Sequence, residues 1–199
     1  MDASEITKID PSSGQAGTRV TITGTDLLGK GAAASDEITT AKLGSTVAKV
    51  LSAKATEVII QVNNASAGKV DIFLEATSGA TTTVTNGFTY NELGAVDAVK
   101  PASGQLGTFV NISGDRLLGG GSSATSVTLV GESTQVISAS NDLIRVRIAG
   151  STTGKGDIVI VSNTGAVVTE DDGFTFKTAA SVRNVDPESG QIGTGARIA

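Results

Sequence analysis

The sequence has no cysteine, no histidine and no tryptophan. Without cysteine there is no disulfide framework, no thiolate nucleophile and no thiolate metal site, and the redox compartment stays open. Without histidine, the commonest general base and the commonest metal ligand disappear together. Aromatic residues are only 3% of the chain. The 15 Lys and Arg are outnumbered by 20 Asp and Glu, giving a net charge of −5 and a pI near 4.7. That balance is the reverse of the basic footprint a phosphate backbone requires, so no nucleic-acid partner is expected. No apolar run approaches the ~20 residues of a membrane-crossing helix, and no charged-then-apolar leader follows Met1. These absences exclude most catalytic chemistry: no catalytic residue, metal site or cofactor is expected, and the chain reads as a non-enzyme.

What is present is glycine (25 residues) with abundant serine and threonine, a composition of short strands and many turns. The apolar period is two. In "RVTITG" Val20 and Ile22 alternate with Thr21 and Thr23, and in "FVNISG" Val110 and Ile112 alternate with Asn111 and Ser113, the pattern of a half-buried strand. In "DIVIVS" both Ile158/Ile160 and Val159/Val161 are apolar, which predicts a strand covered on both faces. Turn signals separate the runs: Asp10-Pro11-Ser12-Ser13-Gly14, with Gly14 free to take positive φ, then Ser78-Gly79, Asn86-Gly87 and Asp172-Gly173.

The chain repeats itself. Pro11, Pro101 and Pro187 recur at spacings of 90 and 86 residues, each followed by Ser-Gly-Gln-x-Gly-Thr. "KVDIFLEATSGATTTVTNGFTY" (Lys69 to Tyr90) aligns without a gap on "KGDIVIVSNTGAVVTEDDGFTF" (Lys155 to Phe176), and the length difference falls mainly in the glycine-rich stretches after Leu28 and Leu118, where loops are expected. The register divides the chain into a unit at 1–91, a unit at 92–177, and residues 178–199 as the first strand or strands of an incomplete third. Six or seven short strands per unit describe a β-sandwich, so the fold class is all-β. Linkers of about four residues predict a semi-rigid rod.

Ile6, Ile9, Pro11, Gly14, Gly17, Thr18, Val20, Ile22, Gly24 and Leu27, then Gly68, Gly79, Gly87, Phe88 and Tyr90, set a frame that resembles the IPT/TIG domain. The second unit carries it through Val96, Val99, Pro101, Gly104, Gly107, Thr108, Val110, Ile112, Gly114 and Leu117, then Gly154, Gly165, Gly173, Phe174 and Phe176. The resemblance covers nearly the whole chain. It implies tandem immunoglobulin-like β-sandwiches, arrayed on cell surfaces as in plexin-like receptors, and it implies no reaction.

Several stretches invite a site. The Ser-Gly-Gln-x-Gly-Thr element is read as a tight crossing between strands. "GSTTGKG" (Gly150 to Gly156) is one residue short of a phosphate loop and lacks its Ser/Thr, and is read as a turn. "LLGGGSS" after Arg116 is read as flexible loop. Glu170-Asp171-Asp172, the densest acidic cluster, is read as a solvated hairpin tip rather than a calcium site. Asn64-Ala65-Ser66 and Asn111-Ile112-Ser113 fit the N-glycosylation sequon, and the Ser/Thr-rich stretches could carry O-glycans. The functional expectation is a structural module of an extracellular or cell-surface rod, stalk or filament. Its partners would be further copies of the repeat, in the same chain or in neighbouring subunits. The alternative is a surface adhesin that binds a glycan or protein through loops at one end of the sandwich.

Overall fold

The structure is a computed structural model that describes residues 4–31, 33, 36–189, 195 and 197–198. Among the described residues there is no helix, and therefore none long and apolar enough to cross a membrane. The glycine-rich stretches after Leu28 and Leu118 are turn and coil. In the first unit the strands are β1 (Glu5–Asp10), β2 (Ser13–Gly14), β3 (Arg19–Thr25), β4 (Ile38–Leu43), β5 (Thr46–Val47), β6 (Lys49–Lys54), β7 (Glu57–Gln61), β8 (Gly68–Ala76) and β9 (Thr81–Tyr90). They form two sheets, ordered β1-β3-β7-β6 and β2-β9-β8-β4-β5.

The second unit repeats this with β10 (Ala95–Lys100), β11 (Ser103–Gly104), β12 (Phe109–Asp115), β13 (Ala124–Leu129), β14 (Glu132–Ala139), β15 (Leu143–Ile148), β16 (Gly154–Ser162) and β17 (Val167–Phe176). Here β14 pairs with both β13 and β15, which joins the two faces into one 8-stranded sheet. In the first unit the same stretch is interrupted at Ala48, so β5 and β6 belong to different sheets. Beyond them β18 (Val185–Asp186) pairs with β19 (Arg197–Ile198).

Each unit buries its own core. Val20, Ile22, Val58 and Ile60 of one sheet meet Leu43, Ile72, Leu74 and Phe88 of the other. Val110, Ile112, Ile144 and Val146 meet Leu129, Ile158, Ile160 and Phe174 in the second. These are the inward positions of the period-two pattern, and their mates face outward. Val159 and Val161 are half-buried, so that strand has partial cover on its second face. The proline marks a change of sheet: β1 pairs antiparallel with β3, whereas β2, just past Pro11, pairs parallel with β9.

Three local expectations are corrected. Gly14 does not take positive φ; Gly17 does, at 88°. Gly14 is required for space, since a Cβ there would lie 2.5 Å from Thr18 Oγ1. Asn86-Gly87 and Asp172-Gly173 are not turns between strands but lie inside β9 and β17, where the pairing register shifts. Asn86 and Asp172 take positive φ (52° and 54°). Each backbone N–H is held by a carboxylate across the ladder, Asp71 Oδ1 at 2.8 Å and Asp157 Oδ1 at 2.9 Å. Asn and Asp tolerate that conformation better than most other non-glycine residues. The acidic cluster Glu170-Asp171-Asp172 is thus a β-bulge and not a hairpin tip; the tip lies at Asn163-Thr164-Gly165.

Candidate functional site

The Ser-Gly-Gln-x-Gly-Thr element divides its residues between two tasks. Glycine and threonine build the crossing itself: Gln15 N–H donates to Thr18 Oγ1 at 3.1 Å, and Gln105 N–H donates to Thr108 Oγ1 at 3.1 Å. The glutamine side chain has another role. Gln15 Oε1 accepts the N–H of Gly94 in the linker at 2.9 Å, and Gln15 Nε2 donates to the carbonyl of Val167 at 2.8 Å. One side chain from the first unit therefore ties down both the linker and a hairpin of the second.

The backbone completes the joint. Val167 N–H donates to Ala16 C=O at 3.0 Å, and Arg19 N–H donates to Thr164 C=O at 2.8 Å. Gly17 closes directly on Gly165, and a Cβ at Gly17 would lie 2.6 Å from the Gly165 carbonyl oxygen. Gly119 rests on the Gln15 amide, where a Cβ would come within 2.7 Å of Gln15 Cδ. Gly120 lies beside Asn91 of the linker. The stretch "LLGGGSS" is accordingly a packing surface rather than a flexible loop, and Gly119 itself is buried. The linker is braced from the second unit, since Arg116 Nε donates to Leu93 C=O at 3.2 Å and Arg116 pairs with Glu92 at 3.5 Å. Gln15 is 1% exposed and Thr18 is 0% exposed, so their hydrogen bonds are shielded from competing water. A cleft of about 400 Å³ runs beside the joint, lined by Arg19, Thr125, Val161 and Asn163 among others.

Nothing in the sequence of one unit reveals this role. The clue was that glutamine occurs at the third position of all three copies, although a tight crossing needs only the glycines and the threonine.

Of the other candidates, the acidic cluster and "GSTTGKG" meet through Asp172 and Lys155, and Asn64 borders the linker. Asn64 is exposed in the connection after β7, beside Glu92 and Leu93 of the linker. Asn111 is exposed on β12, opposite Lys100 on one neighbour and Arg145 on the other. "GSTTGKG" leads into β16 and not into a helix, so no helix N-terminus is offered to a phosphate there. Asp172 of the bulge pairs with Lys155 at 3.3 Å. Among the described residues no three acidic side chains gather as a metal site.

Tyr90 is 2% exposed and stacks edge-on against Phe88, with ring centroids 5.4 Å apart. Burial raises its hydroxyl above the usual 10.0, and Thr46 beside it offsets this in part, although among the described residues no contact to the hydroxyl meets hydrogen-bond geometry.

The family model for the IPT/TIG domain matches this chain twice, over residues 4–90 and 95–176. No curated protein matches it. Among solved structures, the full extracellular region of Plexin A4 (domains 1 to 10) superposes with a TM-score of 0.57 at 20% identity, covering 93% of this chain and 16% of that one. A second Plexin A4 extracellular structure (domains 1 to 8) gives 0.52 at 20% identity, with 87% and 18% covered. The SGBP-B of a Bacteroides ovatus mixed-linkage glucan utilization locus, in complex with a heptasaccharide, gives 0.35 at 16% identity, with 87% and 46% covered. The chain spans less than a fifth of the length of either Plexin A4 chain. At such identities the likeness is one of fold.

Proposed function

We propose that this chain, which belongs to the IPT/TIG domain family, is a non-enzymatic structural module of an extracellular or cell-surface rod, its sandwiches stacked end to end. The observation that carries this reading is the double hydrogen bond of Gln15, which fixes the second unit on the first instead of leaving a free hinge. A protein built only to link binding sites needs reach, and a flexible linker supplies it; a rod needs joints. The same motif recurs at each unit, so one joint chemistry serves a series of any length. Further copies of the repeat, in this chain or in neighbouring subunits, are the partners this design calls for.

Asn64 and Asn111 are both exposed and are proposed as N-glycan carriers in that setting. Antibody labelling of intact source cells tests the location. Surface staining without permeabilisation supports the module, and staining only after lysis contradicts it. A glycan array tests the adhesin alternative.

A further inference from the structure

The second sandwich carries the same motif at the corresponding end, but its joint is half made. Gln105 Oε1 accepts the N–H of Ala180 at 2.9 Å, the counterpart of Gly94 on Gln15. Gln105 Nε2 has no hydrogen-bond partner among the described residues. Gln105 and Thr108 are half-exposed where Gln15 and Thr18 are buried. Leu106 and Phe109, at the places of Ala16 and Arg19, are 58% and 47% exposed. Arg145 and Arg147 flank the Phe109 ring at 4.9 and 5.8 Å. By strand register they replace Ile59 and Gln61 of the first unit. The trailing end of the second unit is therefore apolar at its centre and cationic beside it.

The leading end of the first unit has the opposite character. Its hairpin at 77–80 is the counterpart of the one that receives Gln15. Glu75 stands where the second unit has Val161, a residue that lines the cleft beside Arg19. Asp36 accepts a 3.1 Å hydrogen bond from Thr77 Oγ1, and Glu37 N–H donates to the same hydroxyl. Both acids occupy positions held by Ser122 and Ser123 in the second unit. The two ends that do not meet within one chain thus carry complementary charge, whereas the two that do meet are nearly neutral.

We propose that the trailing end of the second unit docks the leading end of the first unit of a second copy. The contact is head-to-tail, with Gln105 Nε2 donating to the Thr81 carbonyl, the counterpart of Val167. Leu106 and Phe109 cover the hairpin, and Arg145 and Arg147 face Glu75, Asp36 and Glu37. Such a contact is heterologous, so it leaves one free end of each kind on every pair and adds further copies head to tail. Residues 181–189 are exposed throughout and make no hydrogen bond to either sandwich among the described residues, so they can yield to the incoming unit. Lys30 and Lys177, at the places of Gly120 and Asn91, form a like-charge pair at the rim that weakens the contact. The proposal rests on the end-to-end reading above, but its test is separate, because the Gln15 joint is intramolecular and survives in a monomer.

The test is sedimentation of the full 199-residue chain from micromolar to millimolar concentration at low and moderate salt. The average mass rises above that of the monomer with concentration and falls with salt. Arg147→Glu and Glu75→Arg each weaken association about tenfold or more, and the double variant regains it. A monomer at every concentration overturns the proposal, as does association indifferent to Arg147→Glu. Burial of Gln105 in a monomer lengthened by one complete unit, with no self-association of the original chain, overturns it in favour of a unit in cis.

Discussion

The Gln15 side chain, buried at the end of the first sandwich, donates a 2.8 Å hydrogen bond to the carbonyl of Val167 in the second. These residues lie 152 positions apart, and among the described residues no strand pairing connects their units. Gln15→Ala removes this bond and the one to Gly94, leaving two backbone groups of the joint without partners. Unmet buried groups cost about 1–3 kcal/mol. Neither core loses an atom, so the loss falls on coupling: calorimetry of the variant resolves two unfolding transitions where the parent shows coupled ones. Gln105→Ala, which removes one hydrogen bond at a half-exposed site, changes thermal stability by at most about 1 kcal/mol.

Gly17 and Gly107 provide an internal control. Both take positive φ, 88° and 86°, so alanine at either position carries the left-handed penalty of roughly 1–2 kcal/mol. Only Gly17 abuts the other unit: its Cβ would meet Gly165 O at 2.6 Å, while at Gly107 the nearest atom is Arg147 Nη2 at 3.9 Å. Gly17→Ala is therefore the more destabilising substitution and broadens the distribution of inter-unit distances. Gly107→Ala leaves that distribution unchanged.

Tyr90→Phe removes a buried hydroxyl that makes no well-formed hydrogen bond among the described residues, and the second unit already places Phe176 there, stacked in the same way on Phe174. The variant is between zero and about 1 kcal/mol more stable at neutral pH. With the hydroxyl's pKa raised in the folded state, the folded protein holds its proton more tightly than the unfolded chain does. The associated stability is present in full below the unfolded value and is lost as pH rises through the folded one. Denaturant titrations compared from pH 8 to 11 show wild type falling behind Tyr90→Phe at the alkaline end.

Intact-mass spectrometry of native material tests the two sequons. Glycan mass at Asn64, which stands clear of the strands, is the expected result. At Asn111 a glycan would project from a central strand, between Lys100 and Arg145. Unmodified peptides at both positions remove glycosylation from the account.

The sandwich was legible because burial in a sheet has period two, and Val20/Ile22 and Val110/Ile112 display it openly. The repetition was legible from self-alignment, and the family model matches twice. What a strand pattern does not register is a departure from its own ladder. Asn86-Gly87 and Asp172-Gly173 have turn chemistry but sit in bulges, because Asp71 and Asp157 cap their N–H groups from the next strand. The joint was hidden for a related reason. Gln15, Gly119 and Gly165 are unremarkable singly, and they become a site only when two units are stacked.

Because the chain has no native cysteine, spin labels can be placed at Lys54→Cys in the first unit and Ser138→Cys in the second, both exposed. The distance between them, measured by pulsed electron resonance, tests the fixed joint most directly. A fixed joint gives a single narrow distribution in the parent that broadens with Gln15→Ala. A broad distribution in the parent, unchanged by Gln15→Ala, would contradict it.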